Sequence, residues 1–278
     1  MADDWGEDAT RRAKAALINT RVPNAARVID FLYGGHNNFE ADRKAARILG
    51  ATAPGIAAIP PAVRGFQQRA LRFLVVEAGI RQFLDIGMGL PLVGATHEVA
   101  QSLAPESRIA YVDNDPMVLS HARALMKSAP GGVVGYVDAD VREPSAIVAS
   151  AKDTLDFEQP VAIMLLFTLA YVTDGTEAAE VVSALAASVP SGSYVAIYHL
   201  AGDLDPAMEE AARMWNKMMP TQSITLRSKA EVADLVDGLV PVPPGLVPVT
   251  EWRPAADARF DPAAPVPVPV YGIVARTP

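Results

Sequence analysis

The hydrophobic pattern of the chain changes rhythm near residue 81. Before that point apolar positions recur at helical spacing. "NAARVIDFLYGG" (24–35), "NNFEADRKAARILG" (37–50) and "PPAVRGFQQRALRFLVVEAG" (60–79) each predict a helix. Gly34-Gly35, Gly50 and Gly79 supply the stops, and prolines open the third helix. After residue 81, short apolar runs alternate with amphipathic stretches. The runs are "QFLDIG" (82–87), "RIAYVDND" (108–115), "VVGYVDAD" (133–140), "VAIMLLFTL" (161–169) and "SYVAIYHL" (193–200). Helices are expected between them at 95–103, 116–128, 143–152 and 175–188, with another at 205–219. "SKAEVADLVDGL" opens with Ser228 and has Glu231 three residues on, a capping-box pattern. "VPVTEWRP" (247–254) and "VPVYGIVART" (268–277) read as the last strands, the first shortened by its prolines.

Strand alternating with helix implies a doubly wound, mostly parallel sheet covered on both faces. The expected fold is therefore α/β, with a seven-stranded Rossmann-like sheet. The organisation that follows is an N-terminal helical cap or lid over 1–80 and one compact sheet unit over 81–278.

Composition narrows the chemistry. There are no cysteines, so disulfides, thiol nucleophiles and Cys-held metals are excluded. The four histidines, His36, His97, His121 and His199, are scattered and form no H-x-x-x-H pair, so no metal is expected. Net charge is −8 and the basic residues form no block, which argues against a nucleic acid as main partner. The longest apolar run, "VAIMLLFTLAYV" (161–172), is too short to span a membrane. The charged N-terminus lacks the apolar core of a signal peptide, so a cytoplasmic location is expected.

Ligands of open parallel sheets sit beyond the carboxyl ends of the strands. The first strand ends in Asp85-Ile86-Gly87-Met88-Gly89, where glycines permit a tight turn. The G-x-G-x-x-G pattern of a dinucleotide site is not met, because Leu90 and Pro91 follow and Gly94 comes too late. Asp85 beside the loop would repel a pyrophosphate and suit an amino group. Asp113, with Asn114, ends the second strand where an acid can accept from ribose hydroxyls, and Asp115 reads as the cap of the next helix. At the third strand end Asp138 and Asp140 compete for an adenine amino group, and Asp140 with Val141 is favoured. Phe167 to Tyr171 would lie under the ligand or face the substrate, with Phe167 and Leu169 as core the alternative. Adenine, ribose and a cationic tail without phosphate are the parts of S-adenosyl-L-methionine, the expected cofactor.

"DIGMG", "YVDNDP" and "VDADV" resemble the class I S-adenosylmethionine-dependent methyltransferases. More narrowly, the chain resembles the actinobacterial S-adenosyl methyltransferase family formerly catalogued as a domain of unknown function. The matching stretches are 19–43, 78–101, 108–125, 192–200 and "EWRP" (251–254). The resemblance implies a final antiparallel strand, Gly87 and Gly89 as cofactor loop, Asp113 as ribose acid, and Asp140 with Val141 at the adenine. Leu90-Pro91 departs from the broad class, and the resemblance leaves the contacts of Leu90 to Gly94 unassigned. The methyl acceptor is not supplied by it either.

"FLYGGHNNFEADR" (31–43) is expected to lie over the cofactor, turning at Gly34-Gly35 so that Tyr33, His36, Asn37, Asn38 and Phe39 face the pocket; the alternatives are a plain turn between two helices with Asn caps and, for Phe39 first of all, a place in the core. Arg64 and Arg69 read as surface ion-pair partners, with the cofactor carboxylate as alternative. Methyl transfer to a small molecule is the expected function. A general base is needed only if the acceptor must lose a proton early. His199, His36 and Tyr171 are the candidates, with Tyr198 behind them; His97 reads as packing or a cap. Met208, Met214, Trp215, Met218 and Met219 on the 205–219 helix read as core, or as a face toward substrate or a second subunit. Two other functions are carried. One is a non-catalytic sensor of S-adenosylmethionine or its demethylated product; the other is a nicotinamide-dependent oxidoreductase.

Overall fold

In the computed structural model the described residues are 19–254 and 268–278. The charged N-terminal stretch used for the location argument lies outside them. Three helices come first: α1 (Ala25–Leu32), α2 (Glu40–Thr52) and α3 (Ile59–Arg72), the last running on as a π-helical turn, Phe73–Glu77. The sheet follows with β1 (Gln82–Ile86), β2 (Arg108–Asp113), β3 (Val133–Asp138), β4 (Ala162–Leu166) and β5 (Tyr194–Leu200). The intervening helices are α4 (Thr96–Leu103), α5 (Pro116–Leu125), α6 (Pro144–Ala151) and α7 (Gly175–Ala187). After β5 come α8 (Ala207–Met218) and α9 (Lys229–Asp234), the latter opened by the reciprocal Ser228–Glu231 capping box. Two-residue strands β6 (Val240–Pro241) and β7 (Val247–Pro248) precede β8 (Val270–Arg276).

The sheet therefore has eight strands among the described residues, not seven, in the order β3-β2-β1-β4-β5-β8-β6, with β7 on β8. β1 to β5 are parallel, and β8 runs antiparallel to β5. The extra strand arises because "VP" occurs at both 240–241 and 247–248 and each copy pairs with β8 for two residues. Proline donates no ladder hydrogen bond, so neither copy lengthens.

Strand residues alternate between two apolar layers. Phe83, Ile109, Tyr111, Met164 and Ala196 pack with the N-terminal helices and α8. Leu84, Ala110, Val112, Ile163 and Ile197 pack against α6 and α7. Period-two alternation in a sheet covered on both faces gives this division. Phe66 of α3 meets Trp252 edge-on at 5.5 Å and Tyr198 of β5 at 6.5 Å. The helices before β1 thus share a core with the sheet and stand over one of its faces. No helix among the described residues is long and apolar enough to cross a membrane.

Candidate cofactor and substrate site

Strand order reverses between β1 and β4, and a cavity of about 580 Å³ opens at their carboxyl ends. Its floor takes Asp85, Gly87 and Gly89 from the β1 end, Asp113 and Asn114 from β2, Asp140 and Val141 from β3, and Phe167 and Tyr171 beyond β4. The structure thus brings these sequence-predicted residues to one wall.

Gly87 and Gly89 take φ of +78° and +62°, a region that side chains disfavour. A Cβ on Gly87 would run into Thr168, whose hydroxyl donates to Ile86 O. A Cβ on Gly89 would meet open space. Gly89 N donates to Asp113 Oδ2 at 3.1 Å and Asp115 N to Asp113 Oδ1 at 2.9 Å, which fixes the carboxylate. Asp115 caps α5 through Met117 N and also lines the cavity. Asp85 is 6% exposed and accepts from Thr96 Oγ1 at 2.6 Å. Thr96 in turn accepts from Gln67 of α3 at 3.2 Å. Burial pushes the Asp85 carboxyl up to about 6, against the pull of the Thr96 hydrogen bond, with the Asp113 charge adding to the rise. Burial likewise raises Asp113 to about 6, opposed chiefly by the Asp115 and Gly89 amides.

Asp140 accepts from Asn114 Nδ2 at 2.8 Å and from Arg142, which also donates to Tyr171 O. Asp138, its competitor, is exposed and off the wall. Phe167 has φ of +78°, an uncommon conformation for an aromatic residue, and its amide donates to Tyr198 O. Such strain is characteristic of functional sites. Leu90 turns inward onto Met117 and Val118, while Val93 is 82% exposed at the rim. All five residues from Leu90 to Gly94 line the cavity, and α4 begins only at Thr96.

Several expectations are corrected. His199 is fully buried and off the cavity. Its Nδ1 bonds Leu200 O at 2.9 Å, and its Nε2 faces Arg227 Nη1 at 2.6 Å. Burial pushes it down to about 4, so it is a neutral partner of Arg227 and not a base. His36 is exposed and outside the wall, because the turn after α1 points away from the cavity. Gly34, Gly35, Asn37 and Asn38 are outside it for the same reason; Asn37 N and Asn38 Nδ2 instead hold Asp30. Of that stretch Tyr33 reaches the cavity. Phe39 is 40% exposed beneath the Arg27 guanidinium and is not core. Tyr171 and Tyr198 do line the cavity, but burial drives both phenols above their usual range, so they stay protonated. Among the described residues Arg69 makes no surface ion pair: it donates to Trp252 O at 2.7 Å and Val249 O at 2.6 Å. Arg64 lines the cavity with its guanidinium 5.2 Å from the centre of the Tyr33 ring. His97 is packed and held by the Tyr111 hydroxyl.

Sequence reasoning named Tyr33 and offered Met208 and Trp215 as a face toward substrate, but it missed the rest of the roof. Ala25, Ile29, Asp30, Leu32 and Tyr33 of α1 and its end, Val63 and Gln67 of α3, and Met208, Ala211 and Trp215 of α8 enclose the side opposite the strand ends. The clearest signal available was the charge of Asp30 within the apolar run "VIDFL".

The family model for S-adenosyl methyltransferases matches residues 11–278. The chain belongs to this family. It is an S-adenosylmethionine-dependent methyltransferase by that membership, and S-adenosylmethionine is its cofactor. A DUF574-family protein from Streptomyces avermitilis is 37% identical, with a TM-score of 0.88 over 94% of this chain and 100% of that one. A candidate methyltransferase from Thermobifida fusca is also 37% identical, with a TM-score of 0.84 over 93% and 96% of the two chains. The plantazolicin methyltransferase BpumL, at 11% identity and a TM-score of 0.53 over 97% and 99%, shares the fold. No curated protein matches the chain.

The donor set fits the cofactor. Acidic groups end three successive strands, Gly89 leaves open space beside Asp113, and carboxylates stand where a pyrophosphate would need cations.

Proposed function

We propose that this methyltransferase acts on a small, largely apolar molecule held between the strand ends and the N-terminal helices. The observation that carries this reading is the continuity of the cavity: one space of about 580 Å³ runs from the acidic floor to the apolar roof. Volumes of this order suit small-molecule sites. Ile29, Leu32, Ile56, Val63, Met208 and Trp215 give the roof side its apolar character.

In this reading Asp113 accepts from the ribose hydroxyls, and Asp85 faces the α-amino group. Asn114, Asp140 and Val141 hold the adenine end, and the Gly87–Gly89 backbone lets the cofactor approach closely. Arg64 takes the carboxylate. It stands one turn before Gln67 on α3, and Gln67 reaches Asp85 through Thr96, so the amino and carboxylate partners come from adjacent places. The cofactor supplies an electrophilic methyl group on a sulfonium centre. The residues around it contribute alignment and exclusion of water, which is where much of the barrier lowering for such a displacement lies. None of the proposed bases serves: His199 is tied to Arg227, His36 is outside, and Tyr171 stays protonated. The acceptor is therefore read as a group already nucleophilic when bound. Family membership lends no support to the nicotinamide or sensor readings.

Calorimetric titration with S-adenosylmethionine, S-adenosylhomocysteine and NAD, beside Asp113→Ala, tests the site. Binding of the first two and its loss in the variant support it. Incubating the protein with methyl-labelled cofactor and fractionated cell extract tests the acceptor. Label in the low-molecular-weight fraction supports a small acceptor; label confined to protein or nucleic acid overturns it.

A further inference from the structure

Asp85 meets the cavity with one oxygen. Its Oδ2 accepts from Thr96 Oγ1 at 2.6 Å. Its Oδ1 has no hydrogen-bond partner among the described residues, and it is not enclosed: the enclosed orphan atoms there are Asp30 Oδ1 and Trp252 Nε1. Asp85 is otherwise buried and lines the cavity, so the surface that Oδ1 keeps is cavity surface. Thr96, fully buried in the first turn of α4, is held from its other side by the roof. Gln67 Nε2 of α3 donates to Thr96 Oγ1 at 3.2 Å. A hydroxyl has one proton, so with Gln67 donating, the proton of Thr96 goes to Asp85. The opposite amide orientation would set a carbonyl on Oγ1, draw that proton away and leave Oδ2 without a donor. The chain Gln67–Thr96–Asp85 therefore has one direction, set from the roof helix.

A donor on Oδ2 does two things. It restrains rotation of the carboxylate, and it favours the ionised form against burial. Among the described residues Thr96 is the one side chain that donates to Asp85. The other groups around it do not take its place. Asp113 on β2 is a like charge. The phenols of Tyr111 on β2 and Tyr198 on β5 are pushed up by burial and stay neutral. His97, next to Thr96 on α4, is turned onto the Tyr111 hydroxyl. Arg64 stands one turn before Gln67 on α3, with its guanidinium over the Tyr33 ring.

We propose that Thr96 and Gln67 are positioning residues for cofactor binding: Thr96 occupies Oδ2 and leaves Oδ1 turned to the α-amino group, and Gln67 fixes the direction in which Thr96 donates. This rests on the reading above that Asp85 faces that amino group. Both residues act through Asp85. The ammonium site on the floor is thereby tied to a helix of the roof.

The test compares two ligands by calorimetry on the full chain between pH 5 and 8. S-adenosylhomocysteine carries the amino group; 5′-methylthioadenosine keeps adenine, ribose and sulfur and lacks it. The ratio of their affinities removes what they share, including a ribose contact with Asp113. In wild type the ratio is expected to favour S-adenosylhomocysteine at pH 7 and to fall as pH drops through about 6. Thr96→Val is expected to move the midpoint of that fall up by about one pH unit, the size of one hydrogen bond to a charged group. Thr96→Ser is expected to return it to the wild-type position, and Gln67→Leu to move it up by a smaller step. The variants keep Asp113 and His97, so a moved midpoint reports on Asp85. All three should bind 5′-methylthioadenosine as wild type does, which reports that they fold. A midpoint unmoved in Thr96→Val, or displaced as far by serine as by valine, overturns the role of the hydroxyl. A midpoint unmoved in Gln67→Leu overturns the direction set from the roof. If Thr96→Val does not bind 5′-methylthioadenosine, Gln67→Leu decides, because Gln67 is half-buried on the cavity wall. A wild-type ratio that stays flat from pH 5 to 8 would instead strike the Asp85 reading itself, and the proposal with it.

Discussion

Asn24 Nδ2 donates to Asp115 Oδ2 at 3.0 Å, joining residues 91 apart in sequence. Asn24 is also the N-cap of α1, accepting from Arg27 N, and Asp115 N donates to Asp113 Oδ1. The start of the roof helix is therefore two hydrogen bonds from Asp113, the acid proposed to meet the ribose. A second tie, Ala25 N to Gln222 Oε1 at 2.9 Å, fastens the same helix end to the segment after α8.

Two substitutions separate the roles of Asn24. Asn24→Ala removes cap and tie together and should cost about 1 kcal/mol in stability. Asn24→Ser restores the cap but does not reach Asp115. We expect Ser to recover most of the melting temperature, while both variants release S-adenosylhomocysteine several-fold faster in stopped flow. Equal release rates in wild type and both variants would show that the tie does not hold the roof over the cofactor.

Cofactor affinity should depend on pH through the floor. Asp85 and Asp113 are both raised to about 6, and only their ionised forms serve an ammonium and ribose hydroxyls well. Affinity for S-adenosylhomocysteine should be level above about pH 7 and fall as pH drops through 6. By pH 5 the loss is about tenfold for each group titrated. For folding without cofactor the sign is opposite. A carboxyl whose folded pKa lies above its unfolded value contributes stability below the unfolded value and loses it as pH rises through 6. Calorimetry from pH 5 to 8 checks the first statement, and Asp113→Asn should flatten the profile. A flat wild-type profile would contradict the assignment of both acids.

The parallel sheet was legible because each strand is an apolar run bounded by turn residues. The floor was legible because it lies at strand ends, where position along the chain is position in the fold. Asp85, Asp113 and Asp140 could be picked out for that reason. Most of the roof beyond Tyr33 could not, because its apolar positions face other helices and the cavity alike; Leu49 belongs to both the core and the cavity wall. Phe39 illustrates the limit. Its aromatic character suggested burial, yet it covers Arg27, which is committed to Asp42 at 2.8 Å and to the carbonyls of Asn19 and Val22. His199 failed as a base for a related reason: a strand end fixes the residue's height in the sheet, but alternation decides which face it joins, and Arg227 waits on that face.

His199 and Arg227 brace the segment after β4. Arg227 donates to Leu169 O at 2.8 Å and Val172 O at 2.6 Å, on either side of Tyr171. His199 is pushed down to about 4 by burial, below its unfolded value near 6.5. Its neutral form is the folded one, so its contribution is complete above pH 6.5 and is lost as pH falls toward 4. The full loss is on the order of 3 kcal/mol. His199→Gln offers Arg227 an acceptor that does not titrate. Its denaturant midpoint should fall less than that of wild type between pH 6.5 and 4.5. Methyl transfer should persist in this variant within a few-fold. A loss of a hundredfold or more, the scale of general base catalysis, would restore His199 to the chemistry.

Gly87 and Gly89 share a left-handed conformation but not its surroundings, and alanine should separate their roles. At Gly87 the added methyl meets both an unfavourable φ and the Thr168 side chain, which is held to Ile86 O. The backbone alone contributes about 1–2 kcal/mol, and the collision adds to it. Gly87→Ala should therefore lower the urea midpoint clearly, whether or not cofactor is present. At Gly89 no protein atom lies within reach of the methyl, so the stability cost is limited to the backbone. That free space is where the cofactor is read to lie beside Asp113. Gly89→Ala should thus lower S-adenosylhomocysteine affinity by more than tenfold while costing less stability than Gly87→Ala. Calorimetry and urea unfolding on the two variants give the comparison directly. Wild-type affinity in Gly89→Ala would place the cofactor elsewhere in the cavity.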